Sequence, residues 1–188
     1  NKNMKALSLL VIIVIYTGMT GCSFIAGKVY GIRKPEFESH ESILKFQEKI
    51  GFGAYPYVGV GIDKWKQNQL FRMPDVFVFD KSGRYIPYKD SLKPNCNGQA
   101  EVFLSQLNPS MVYHYSDAYT IESFLSGMQD PVCDSLLSIQ SPGKDFYIFI
   151  TYAKYGGKKL MKSKAKIWLD SLRNNDDINY QLVLVNQD

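Results

Sequence analysis

The chain has 188 residues, 45% of them hydrophobic, 14% aromatic and 21% charged, with 22 Lys and Arg against 18 Asp and Glu. This balance excludes a disordered tail, a collagen-like repeat, a disulfide-dense mini-protein and a polytopic membrane protein. Two of the positive charges, Lys2 and Lys5, lie in an apolar N-terminal leader; without them the formal net charge of +4 falls to +2, which gives no electrostatic reason to expect nucleic acid as a partner.

Met4-Lys5 opens the leader, preceded by Asn1-Lys2-Asn3, and the apolar run Ala6 to Tyr16 follows with only Ser8 polar. A short basic start, an apolar run of about 7 to 15 residues and small residues at its end are the parts of a secretory signal peptide. The run is shorter than the roughly 20 apolar residues that span a bilayer core. The alternative is that Leu7 to Ile15 forms a buried element and Cys22 is an ordinary core thiol. Met19-Thr20-Gly21-Cys22 resembles a bacterial lipobox, with Met19 where Leu is usual. That resemblance implies a signal peptide over 1–21, an acylated, palmitate-bearing Cys22 and a lipidated tether over 22–34. Ser23 follows the Cys in place of a retaining Asp, and no acidic run follows; the implied location is the bacterial cell envelope, as an outer-membrane lipoprotein facing the periplasm.

The remaining chain fits one domain over 35–188, or two halves, 35–108 and 109–188. Ser39 is placed to cap a helix with Ile43, Leu44, Phe46 and Ile50 at helical spacing, and Gly51 to end it. Tyr57 to Ile62 reads as a strand, followed by a polar stretch from Asp63 to Gln69. Asp75-Val76-Phe77-Val78-Phe79-Asp80 reads as a strand that turns through Lys81-Ser82-Gly83 into Arg84-Tyr85-Ile86-Pro87-Tyr88. Pro87 cannot donate to a ladder, so this second arm is expected at a sheet edge. Asn97 precedes a helix carrying Ala100, Phe103, Leu104 and Leu107, and Thr120 precedes a short one with Ile121, Phe124, Leu125 and Met128 on one face. Asp130 to Lys144, with Pro131, Pro142 and Gly143, reads as a loop. Phe146 to Thr151 is a near-continuous apolar run of the kind found in a strand buried on both faces. Leu160 or Met161, Ala165, Trp168, Leu169 and Leu172 mark one face of a helix, and Leu182 to Val185 a second buried strand; strand, helix and strand predict a parallel unit.

Thr151-Tyr152-Ala153-Lys154-Tyr155-Gly156-Gly157-Lys158-Lys159 resembles the stretch of thioredoxin-like proteins in which a strand delivers Cys-x-x-Cys to a helix start. Gly156 and Lys159 occupy the two cysteine positions. Thiol–disulfide exchange requires a thiolate, so the resemblance implies a thioredoxin-like mixed sheet flanked by helices, without that activity. Arg72 to Arg84 is similar to the redoxin hairpin that places a cis-proline, here Pro74, beside the active site. It precedes the aromatic strand, whereas the family's usual order puts it after; either the N-terminal part is its own degenerate unit or the halves combine in permuted order. As a whole, residues 28–188 resemble uncharacterised lipoproteins of Bacteroidetes-type bacteria. The implied role is a binding or scaffolding module of the envelope, tethered to the membrane and possessing an envelope protein partner. Its binding face would comprise Tyr152, Tyr155, Gly156, Gly157, Lys158, Lys159 and Pro74.

Apart from Cys22, the chain has Cys96 and Cys133, and export to an oxidising compartment makes a bridge between them reasonable. A structural disulfide, two unpaired thiols and a redox pair all remain open; the last defines the alternative function, an atypical thiol–disulfide oxidoreductase. His40 and His114 have no His or Cys at metal-ligand spacing. No Gly-x-Ser-x-Gly occurs, and Gly156-Gly157-Lys158-Lys159 lacks the rest of a phosphate loop. Neither a catalytic residue, a metal site nor a cofactor is therefore assigned. Lys158, Lys159, Lys162, Lys164 and Lys166 read either as an attractor for an anion at a helix start or as a solvated helix face.

Overall fold

A computed structural model describes residues 27–53, 55–67, 70–89, 98–130 and 143–188. Cys22, Cys96 and Cys133, the leader and the interior of the Asp130–Lys144 loop lie outside the described residues. Among those described, no helix is long and apolar enough to cross a membrane.

The fold is mixed α/β. Helix α1 spans His40–Ile50; Ser39 caps it by accepting the Ser42 N–H, and Gly51, at φ +80°, ends it. Its buried stripe is Ile43, Phe46, Gln47 and Ile50, while Leu44, expected on that face, is 43% exposed. Leu44 sits about 100° round from Ile43, and Gln47 fills the stripe because its amide donates to the Tyr152 hydroxyl at 2.6 Å.

Strand β1 is Tyr57–Val60, shorter than the apolar pattern suggested, because Ile62 already belongs to helix α2, Ile62–Lys66. Strands β2, Asp75–Asp80, and β3, Arg84–Ile86, form the expected hairpin. Helix α3, Gly98–Ser105, leads to strand β4, Ser116–Thr120, which the sequence pattern did not signal. Asp117, Ala118 and Thr120 are exposed, Tyr119 alone packs on the rings of Phe77 and Phe124, and the strand's partner is the outer side of β3. The arm bearing Pro87 is therefore covered rather than a sheet edge. Thr120 caps helix α4, Ile121–Leu125, and Met128, expected on that helix, instead begins the two-residue strand β5, Met128–Gln129.

Strand β6, Phe146–Tyr152, is buried along its whole length. The apolar face predicted as one helix is split between α5, Lys158–Ser163, and α6, Ala165–Arg173, where Lys164 leaves helical geometry. Strand β7, Tyr180–Asn186, completes the sheet, whose order is β4-β3-β2-β6-β7-β1-β5. Strands from 35–108 and from 109–188 thus share a single sheet. β6, β7 and β1 run parallel, and β2 runs antiparallel to β6 with Asp75 opposite Thr151 and Asp80 opposite Phe146.

Two cores follow from the two-residue period of the strands. Val76, Val78, Ile148, Ile150, Leu182 and Leu184 point to the face covered by Ile43 and Ile50 of α1, Ala100 and Leu104 of α3, and Trp168, Leu169 and Leu172 of α6. Phe77, Phe79, Tyr147, Phe149, Val183 and Val185 point the other way, onto Ile121 and Phe124. Asn175 ties the first layer together by donating to the carbonyls of Leu104 and Leu107 at the end of α3.

The β2–β3 turn is fastened by Asp80. One carboxylate oxygen accepts the N–H groups of Ser82 and Arg84, and the other accepts two guanidinium bonds from Arg84. Burial alone would raise this carboxyl, but the Arg84 and Ser82 donors outweigh it and hold it below the ordinary 3.8. A depressed carboxylate contributes its stability in full above the unfolded value and loses it as pH falls through the folded one. Urea unfolding across this window should show Asp80→Asn less stable than the wild type at neutral pH, with the gap closing below pH 3.8. A gap independent of pH would contradict the assignment.

Candidate functional site at the exit of strand β6

The candidate face is built where β6 leaves the sheet. Gly156 N–H donates to the Ala153 carbonyl and Gly157 N–H to that of Lys154, closing a tight turn before α5. Thr151, fully buried, joins this turn to the segment ahead of β2: its hydroxyl donates to the Arg72 carbonyl at 2.7 Å and accepts the Asp75 N–H at 2.8 Å. The Met73–Pro74 peptide between those contacts is cis. A Cβ added to Gly156 would stand 3.1 Å from Cε of Met73 and 3.0 Å from Cε of Met161, so the segment bearing Pro74 packs directly against the turn.

The expected face divides into support and surface. Tyr152 is fully buried and lies beneath the turn, its hydroxyl accepting from Gln47. Gly156 and Gly157 are buried, Tyr155 and Pro74 are half-buried, and Lys158 and Lys159 are exposed. Burial pushes the Tyr155 phenol above its ordinary value, with the Asp188 carboxylate adding to the effect. The N–H groups of Lys154 and Tyr155 are taken by the two oxygens of Asp188 at 2.6 and 3.1 Å. Burial raises the Asp188 carboxyl even so.

Residues 27–38 lie across this turn, a contact that no local pattern announced. Arg33 N–H donates to the Tyr155 carbonyl at 2.7 Å. Lys154 Nζ meets Glu38 Oε2 at 2.6 Å and Ser42 Oγ at 2.7 Å, and Ser42 in turn donates to Glu38. The hydrogen bond from Lys154, then that from Ser42, draws the Glu38 carboxyl below its usual range. At Gly157, φ is +87° and a Cβ would fall 2.0 Å from the Tyr30 carbonyl oxygen, so only glycine lets the two backbones meet this closely.

Between these residues, α1 and α5 lies a cavity of about 740 Å³. Lys28, Arg33, Lys49, Lys158, Lys159 and Lys162 line it, Lys154 stands at its side, and Val29, Tyr30 and Phe46 give it apolar walls. Three of the five lysines noted in the sequence belong to it. Of the other two, Lys166 pairs instead with Asp170 at 2.5 Å. Lys28, Arg33 and Lys49 come from segments more than a hundred residues away in the chain, which is why the lysine run alone did not reveal a concave site.

The other candidates lie apart. His40 shares a hydrogen bond of 2.6 Å with the Tyr57 hydroxyl and stacks on its ring. Among the described residues, no group of three or more His, Cys, Asp and Glu side chains gathers to hold a metal. Asp75, buried, is bound by the half-buried Tyr88 hydroxyl at 2.5 Å and by the exposed Lys89 Nζ at 2.6 Å, a cluster that fixes the start of β2. Comparison with protein families, curated proteins and solved structures found no match to this chain.

Gly157→Ala introduces both a left-handed strain and a contact with Tyr30, and should lift residues 28–33 off the turn at a cost of about 1 to 3 kcal/mol. Amide exchange would then accelerate at Arg33 while that of β6 and β7 stays slow; unchanged protection of Arg33 would refute the contact.

Proposed function

We propose that this protein is a lipid-anchored, thioredoxin-like module of a bacterial envelope that uses the exit of β6 as a binding face, without thiol–disulfide exchange. The observation that carries this reading is the turn itself. A buried aromatic strand ends in Tyr152-Ala153-Lys154-Tyr155, and the two positions that would bear thiols hold Gly156 and Lys159, with Met73-Pro74 packed alongside. Neither residue can form the thiolate that exchange requires.

The strand order supports the permuted form of the resemblance. Flanking β6 are the antiparallel hairpin β2–β3 on one side and the parallel pair β7–β1 on the other, although the hairpin comes first in the chain. The lipobox-like Met19-Thr20-Gly21-Cys22 supports anchorage at an outer membrane, with the domain facing the periplasm. Two acyl chains or more make such anchoring durable, each buried CH2 contributing about 0.8 kcal/mol.

In a bacterial host the full chain should incorporate labelled palmitate and lose the label on Cys22→Ser, whereas label retained by that variant would sink the anchor assignment. The same chain should show no turnover in an insulin-reduction assay. Turnover abolished by Cys96→Ser would overturn the proposal in favour of a redox enzyme that uses Cys96 and Cys133.

A further inference from the structure

The cavity beside the β6 exit gathers seven cationic side chains and has no Asp or Glu in its lining. Lys154 is balanced by Glu38, but Lys49, Lys158, Lys159 and Lys162 have no ion-pair partner among the described residues. These come from two elements, α1 and α5, so their convergence is a product of packing rather than of one charged helix face. Like charges around a concavity repel within a Debye length of about 8 Å, and an anion in the cavity turns that repulsion into attraction. Lysine ammonium groups act as point charges suited to phosphate, and several of them suit its higher charge better than a single carboxylate.

The walls between the cations are apolar. Phe46 is buried, and Val29 is 49% exposed among the described residues. A bare inorganic ion would leave these walls wet. The volume of about 740 Å³ has room for more than a headgroup. We propose that the cavity binds a phosphate group carrying an apolar chain. The site extends the binding face proposed above and rests on it. If Cys22 is the anchor, the five residues from it to Gly27 reach at most about 18 Å, which keeps the cavity near a bilayer surface. The same chemistry is available from a free amphiphile or from the headgroup of a membrane phospholipid.

The full chain carrying Cys22→Ser separates this site from acylation. Titration calorimetry with dihexanoyl phosphatidic acid, kept below its aggregation concentration, should show saturable binding at one site per chain. Inorganic phosphate should bind much more weakly. Replacing two exposed cations, Lys158→Gln with Lys162→Gln, should weaken binding by about tenfold or more, the loss expected from two charge-assisted contacts. Lys49→Gln, on the opposite wall, should weaken it independently, which guards against a folding defect in either variant. Cosedimentation with phosphatidylcholine vesicles, with and without phosphatidylglycerol, distinguishes the sources. Lysine-dependent binding to the anionic vesicles assigns the bilayer, and monomer binding without it assigns a free amphiphile; either supports the proposal. Binding to neither probe, affinity unchanged in both variants, or inorganic phosphate binding as tightly as the short-chain lipid would overturn it. Loss of palmitate label from the parent chain would fault the anchor and leave this result standing.

Discussion

The fold depends on satisfying the backbone of β6 on both edges while its two faces are buried. Seven consecutive residues, Phe146 to Tyr152, are shielded from water, so every N–H and C=O along them needs a protein partner. β2 supplies one edge over six residue pairs and β7 the other over seven. Because side chains alternate along all three strands, that pairing also decides which apolar groups meet α1, α3 and α6 and which meet α4. A register slip of one residue would exchange the two cores.

Where β6 leaves this shelter the same demand creates the site. The amides of Lys154 and Tyr155 have passed the end of the ladder, and the carboxylate of Asp188 takes both. Thr151 bridges to Arg72 and Asp75, which fixes the segment carrying Met73 and Pro74 beside Gly156. Gly157, lacking a side chain, admits the backbone of Tyr30, and the residues that follow bring Arg33 and Glu38 into the neighbourhood. Lys154 is consumed in this fastening, whereas Lys158, Lys159 and Lys162 are left facing a cavity. The turn is therefore both a structural joint and the edge of a basic concavity.

Strands that carry strong apolar signals were legible from local pattern. Asp75–Asp80 and Ser39-capped α1 fall where spacing and capping chemistry put them. Strand β4 was not legible, because Ser116-Asp117-Ala118-Tyr119-Thr120 has one large apolar ring, that of Tyr119, and no apolar alternation, and it exists as a strand through its pairing with β3. Pro87 suggested an edge for a sound reason, yet the proline lies beyond Ile86, where β3 ends, and β4 covers the arm before it. Likewise Leu44 looked like a core residue, and Gln47 took that role once Tyr152 offered a buried hydroxyl. The lysine run was visible, but not its partners.

By itself the sequence determined the apolar periodicities, the caps of α1 and α4, the β2–β3 hairpin and the absence of thiols at Gly156 and Lys159, since each depends on residues within a few positions of one another. Tertiary structure alone decided that β2 and β7 flank β6, that Tyr152 lies beneath the face rather than on it, and that Lys28, Arg33 and Lys49 join Lys158 around one cavity. Those relations join segments that are in part more than a hundred residues apart, and they are fixed by which buried surfaces fit together, a property that local spacing does not encode.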